Sequence, residues 1–229
     1  MNIATVLRYD DLKVENSPWN KRYYILEDFL LLANKYNVGL TAITTEHSFE
    51  KIAECCDGLI ITGSSTNIDP TYYGKPAFET PEPVDEYALD AKLIKYFIDH
   101  GKPIFGVCGG HQALNVFLGG TLKKLDDFIA HREEDAFSHE ISIKKDSFVY
   151  DVFGSERARV NCYHSWEIDK LAPALEVVAR SDDGVIEAVE SKELKVFATQ
   201  WHPEQSFHTG DPIENKFFEN FLKCCESAK

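Results

Sequence analysis

Up to Phe117 the sequence alternates short apolar runs with longer stretches whose apolar residues recur every three or four positions, and this alternation constrains the fold most. Apolar runs at 2–7, 38–44, 58–62 and 103–107 predict strands. Helices are predicted at 23–36, from Ile25, Phe29, Leu32 and Ala33, and at 84–98, from Val84, Ala88, Ala91, Ile94 and Phe97. Two more are predicted at 48–56, opened by a Ser48 cap, and at 109–117. Asp85 and Glu86 complement the positive end of the 84–98 helix, which Gly101 and Pro103 stop. The order β-α-β-α-β-α-β-α builds a parallel sheet with right-handed crossovers.

Beyond Phe117 the pattern changes. β-type runs at 139–143, 158–163, 176–179, 185–189 and 196–200 are expected to extend or flank the same sheet, and 213–225 to close the chain as a helix. That helix has an apolar face fit either to dock on the sheet or to form a homodimer. The charged stretch 131–135 reads as a surface loop or lid. With no repeat and no linker of domain-separating length, residues 1–229 read as one α/β domain. A chain of this size buries about 70–75% of its unfolded surface.

Charge and cysteine usage exclude several functions. Lys and Arg number 24 against 38 Asp and Glu, a net −14 that repels nucleic-acid phosphates and anionic lipid. Apolar stretches are too short for a bilayer span, and the first ten residues lack a signal-peptide pattern, so a cytoplasmic protein is expected. The six cysteines include the vicinal pairs Cys55-Cys56 and Cys224-Cys225, which diverge on helices and favour reduced thiols. Neither C-x-x-C nor H-x-x-x-H spacing occurs, so neither metal nor cofactor is expected.

One stretch carries chemistry. In "GVCGGHQ" (106–112) a strand runs directly into a helix, and Gly106 and Gly110 flank Cys108 at minus two and plus two. Backbones that crowd together at such a bend leave no room for side chains at the flanking positions, and the residue between them is exposed: a nucleophile elbow with cysteine in place of serine. At a helix N-terminus the dipole and free amides stabilise a thiolate. "TQWHPEQS" supplies a base and an orienting carboxylate, His202 and Glu204, two apart after the 196–200 strand. Singly, a cysteine beside glycines is often just packed and a histidine in a loop often solvated; together the three residues favour catalysis.

As a set, G-x-C-x-G-x-Q (106–112), H-P-E (202–204) and the glycine loop after the third strand resemble the class I glutamine amidotransferase superfamily. "TGSSTNIDPTYYG", "VNCYHSW" and "WHPE" resemble its free-standing γ-glutamyl hydrolase branch, which includes γ-glutamyl-γ-aminobutyrate hydrolases. The resemblance runs from about Asp57 to Glu204 and implies an open, mostly parallel, flavodoxin-like sheet with helices on both faces. It further implies that Cys108 attacks the carbonyl of a γ-glutamyl amide, His202 relays protons and Glu204 orients His202. The oxyanion would be held by amides of Gly109 and the Gly63-Ser64 turn, while Gln112 and His164 would contact substrate. Many relatives carry P-G-G where this chain has Thr62-Gly63-Ser64, so a peptide flip at Ser64 is expected to assemble the hole with substrate. Position 109 is glycine where relatives often carry a larger residue.

The implied activity is a hydrolase that forms a γ-glutamyl thioester and needs no cofactor. Two alternatives stay open: a glutaminase subunit passing ammonia to a separate synthase partner, and a non-catalytic module on the same fold. Of the remaining residues, His131 and His139 read as surface or packing histidines, and Tyr72, Tyr73, Trp166 and Trp201 as pocket walls or space fillers. Asp69-Pro70 reads as a turn, with Ser65 and Asn67 satisfying that loop's own amides. The acidic balance leaves a cationic amine, such as a polyamine, among the candidate leaving groups.

Overall fold

A computed structural model describes residues 1–11, 21–44, 49–126, 139–205, 213 and 215–228. Ser48, His131 and the 131–135 segment lie outside the described residues. The parallel half of the sheet contains β1 (Asn2–Val6), β4 (Gly39–Ile43), β5 (Gly58–Ile61), β6 (Ile104–Val107) and β13 (Val196–Thr199). Four antiparallel strands continue it: β12 (Ile186–Ser191), β11 (Glu176–Ser181), β8 (His139–Ile143) and β9 (Arg157–Val160). The full order is β4-β1-β5-β6-β13-β12-β11-β8-β9.

Alternation along the central strands divides the core between two faces. Leu59, Ile61 and Ile104 point to the face covered by α2 (Phe49–Cys55), α3 (Glu86–Asp99) and α4 (Gly109–Phe117), against Ala53, Leu93, Phe97 and Leu114. Ile60, Phe105 and Val107 point to the other, covered by α1 (Glu27–Tyr36), α5 (Phe148–Phe153) and α6 (Asn215–Ser227). Helices therefore flank both faces. Phe217, Phe218, Phe221, Leu222 and Cys225 of α6 are buried, so its apolar face docks within the chain. Each such side chain contributes roughly 1.5–3 kcal/mol by leaving water.

The helix expected at 23–36 begins only at Glu27, because its first residues belong to a hairpin. β2 (Arg8–Asp11) pairs antiparallel with β3 (Lys21–Tyr24), and Tyr9 meets Tyr23 edge to face at 5.9 Å. Leu26 is extended (φ −63°, ψ 140°), and Glu27 and Asp28 then occupy the acid-favouring first turn. β7 (Thr121–Lys124) and β10 (Trp166–Lys170) form a separate two-stranded ladder, also unanticipated. The 158–163 run ends as a strand at Val160, which leaves 161–165 irregular and free to shape the site. No helix among the described residues is long and apolar enough to cross a membrane.

Candidate active site

β5, β6 and β13 are neighbours in the parallel half, so their C-terminal ends share one edge of the sheet. That edge carries the Gly63-Ser64 turn after β5, Cys108 after β6 and His202 after β13. Cys108 is the residue before α4, at φ 50° and ψ −101°, a conformation that costs a non-glycine residue about 1–3 kcal/mol. Its N–H donates to the Thr199 carbonyl at 2.8 Å, holding the bend. The flanking glycines are sterically required: a Cβ on Gly106 would lie 2.8 Å from the Gly110 carbonyl carbon, and one on Gly110 2.2 Å from the Ile61 oxygen.

His202 and Glu204 converge on the sulfur. The short 3-10 turn Pro203–Gln205 folds Glu204 back, so that His202 Nδ1–H donates to Glu204 Oε1 at 2.8 Å and Nε2 is left for the thiol. Asn161 clamps the His202 backbone from both sides, its Nδ2 donating to the carbonyl and its Oδ1 accepting from the N–H, each at 2.8 Å. Burial pushes the Cys108 thiol up, but the His202 charge and hydrogen bond outweigh it and leave the thiol below its ordinary value. For His202, burial pushes the imidazole down, and Glu204 and Cys108 together hold it well above the usual range. The arrangement favours a thiolate beside an imidazolium.

The turn opposite the sulfur is mounted on buried charge. Arg8 donates from Nε to the Gly63 carbonyl at 3.0 Å and to Thr62 Oγ1 at 3.2 Å, and from Nη2 to the Thr62 carbonyl at 2.6 Å. Its Nη1 and Nη2 pair with Asp90 at 3.0 Å, and Glu86 Oε2 lies 3.7 Å away. Glu86 also accepts from the Tyr9 N–H, from Ser64 Oγ and from Thr66 Oγ1. With the Gly63 carbonyl held by Arg8, the trans N–H of Ser64 points away from Arg8. Neither it nor the Gly109 N–H has a partner among the described residues. A flip of this peptide would break the Arg8 bond, which argues against the substrate-triggered flip expected from the sequence. The Ser64 nitrogen lies against Gly109, only 2.9 Å from where a Cβ would stand, so the two amides border one small volume.

Gln112 and His164 line the same region, with the Gln112 amide nitrogen and the His164 ring nitrogens engaged. Gln112 Nε2 donates to the Trp166 carbonyl at 3.0 Å and to Gln200 Oε1 at 3.2 Å. The Nδ1 of His164 donates to the Trp166 carbonyl at 3.0 Å, and its Nε2 faces Glu187 at 3.6 Å. Burial pushes His164 down, and the hydrogen bond and charge of Glu187 more than restore it. His139 is buried with its Nε2 3.7 Å from the same carboxylate, a packing role as expected. Trp201 is fully buried against Phe217 and fills space, whereas Tyr72 packs edge to face on Tyr87 but stays 45% exposed. In the 63–76 loop, Asp69 caps the 3-10 turn Pro70–Tyr73. Loop amides are satisfied by Ser64 and Glu82, where Ser65 and Asn67 were expected.

Sequence reading missed Arg8, Glu86, Asp90, Asn161 and Gln200. Gln200 Nε2 donates to the Cys108 sulfur at 3.6 Å, while its Oε1 accepts from Gln112 and from His111 Nδ1 at 3.2 Å. Arg8 offered one signal, a cation directly after an apolar strand. Two basins flank the sulfur. One, of about 530 Å3, reaches Arg8, Tyr24, Leu26, Tyr163 and His202; the other, of about 290 Å3, reaches Gly109, Gln112, His164 and Trp166.

Comparisons with known proteins place the chain in a family and a fold. The chain is 30% identical to the glutamine amidotransferase-like protein YvdE of Lactococcus lactis, over 91% of this chain and 92% of that one. It is 28% identical to the γ-glutamyl-γ-aminobutyrate hydrolase PuuD of Escherichia coli K12, over 81% of this chain and 78% of the relative. Among solved structures, a Thermoplasma acidophilum protein provisionally assigned as a subunit of GMP synthase superposes with a TM-score of 0.69 at 21% identity, over 99% of this chain and 94% of that chain. That likeness shows the fold. The Peptidase C26 model matches residues 5–204, most of the chain and the whole of the edge just described, and the protein belongs to this class I glutamine amidotransferase-like family.

Proposed function

We propose that this protein is a cysteine-dependent hydrolase that cleaves the γ-glutamyl amide bond of a small γ-glutamyl amine or peptide. One observation carries the reading: a cysteine held at positive φ on a helix N-terminus, beside an imidazole whose far nitrogen is bound to a buried carboxylate at 2.8 Å. In this reading the Cys108 thiolate attacks the γ-carbonyl carbon, and the oxygen that becomes negative is met by the Gly109 and Ser64 amides. Each such donor is worth about 2.7–4 kcal/mol in the transition state. His202 then gives its Nε2 proton to the leaving nitrogen, the C–N bond breaks, and a γ-glutamyl thioester remains. Water enters and loses a proton to His202, its oxygen attacks the thioester, and the thiolate departs with glutamate as product. Glu204 keeps the Nδ1 proton in place throughout.

Membership in a peptidase family and the γ-glutamyl-γ-aminobutyrate hydrolase among the relatives support the reaction class. The test is glutamate release from γ-glutamyl amides by the purified chain alone. Silence without a second protein would favour a glutaminase subunit serving a synthase. Labelling by an electrophilic glutamine analogue no faster at Cys108 than at Cys162 or Cys224 would favour a non-catalytic module.

A further inference from the structure

The proton that frees the amine comes from His202, and His202 borders only the larger of the two basins beside the sulfur. Within the reaction proposed above, the amine therefore departs into that basin, and the glutamyl half lies on the Gln112 and His164 side. What the amine meets is set by the groups that line its basin. Arg8 is the one cation among the described lining residues besides the His202 imidazole, and it is 2% exposed. All its nitrogens are spent on Thr62, Gly63 and Asp90. Formally, that guanidinium faces two carboxylates, Asp90 and Glu86, so the buried set carries a net negative charge. Asn161 is equally committed, both polar atoms to the His202 backbone. The remaining described walls include Tyr24, Ile25, Leu26 and Tyr163, of which Leu26 is 37% and Tyr163 58% exposed at the mouth, together with the uncharged polar side chains of Ser65 and Gln205.

A terminal carboxylate on the leaving amine would lose water here and find, among the described lining residues, no cation but the His202 imidazolium that already serves the leaving nitrogen. A second ammonium would be desolvated as well, because Asp90 and Glu86 lie behind Arg8 and are occupied by it. An uncharged alkyl or aryl group gains apolar contact, and about 530 Å3 accommodates a group of benzyl size. We infer that the amine half of the substrate is an uncharged alkylamine or arylamine, so the natural substrates are γ-glutamyl amides of apolar amines. Leu26 and Tyr163 are the specificity-determining contacts.

The experiment measures glutamate release from γ-glutamyl-benzylamide, γ-glutamyl-γ-aminobutyrate, γ-glutamyl-putrescine and glutamine. The benzylamide is expected to show a kcat/KM at least about tenfold above either charged conjugate, and Leu26→Lys to narrow its advantage over the γ-aminobutyrate conjugate. Equal or better turnover of either charged conjugate overturns the inference. Calorimetric binding of the same amides to Cys108→Ala reads the preference without chemistry. Tighter binding of the benzylamide upholds the inference even where turnover fails and the hydrolase reading falls. Equal or tighter binding of a charged conjugate overturns it even where turnover succeeds.

Discussion

Gly109→Ala isolates the part of the site most dependent on tight packing. The new methyl group would stand 2.9 Å from the Ser64 nitrogen and 3.0 Å from its Cβ. Ordinary contact begins near 3.4 Å, so the Ser64 turn must retreat by about half an ångström. It is not free to do so cheaply, because Arg8 holds the Gly63 carbonyl at 3.0 Å and Glu86 holds the Ser64 hydroxyl. Either the amide leaves the oxyanion position or those bonds stretch, each to a charged group and worth about 1.5–3 kcal/mol. Loss of one oxyanion donor costs about 10²–10³ in kcat. The assay is steady-state hydrolysis of a γ-glutamyl amide, with iodoacetamide labelling of Cys108 and thermal unfolding in parallel. The expected outcome is a kcat lower by about two orders of magnitude, with KM, labelling rate and Tm close to wild type. A kcat within about threefold of wild type would refute the argument that Ser64 supplies a donor.

Cys108→Ala should abolish turnover with an unchanged circular dichroism spectrum. Glu204→Gln should cost less in kcat than His202→Ala, because it disturbs only the tautomer and orientation of the ring; the reverse order would separate Glu204 from the proton relay. Iodoacetamide should label Cys108 well below the pH at which it labels Cys224, whose thiol burial pushes up. Peptide mass spectrometry across a pH series checks this, and parallel profiles for the two thiols would contradict it. His111 is fully buried with its imidazole pushed down to about 4, so the folded chain refuses a proton that the unfolded chain binds at the ordinary value. Its contribution is therefore present at neutral pH and lost as pH falls toward that lowered value, about 2 kcal/mol by about pH 5. Urea unfolding of wild type and His111→Asn at both pH values should show the variant losing correspondingly less.

The nucleophile bend was legible because its steric demands leave a local signature: Gly106 and Gly110 are glycine for the contacts the structure shows, and Cys108 stands between them. The alternating first half was legible for a similar reason, since buried strands such as β5 are apolar throughout. What supports the site was not. Arg8 meets Thr62 across 54 positions and Gln200 meets Cys108 across 92, so their partners exist only once the sheet has formed. β2, β3 and β7 carry charged residues and no clear apolar alternation, and their pairing is settled by each other rather than by local preference. Residues 161–163 read as the end of a strand because Val160 and Cys162 are apolar, yet Asn161 turns aside to grip His202.

The central ladder has a consequence for how tolerant this protein is of change. Ile104 is paired with Leu59 on one side and Val196 on the other, so three consecutive rungs set where sulfur, turn and ring emerge. A slip of one rung would carry any of them about 3.3 Å along the sheet and turn its side chains to the opposite face. Insertions or deletions inside these three strands should thus silence the molecule long before they unfold it. The same changes at the outer, antiparallel margin should pass largely unnoticed by the chemistry.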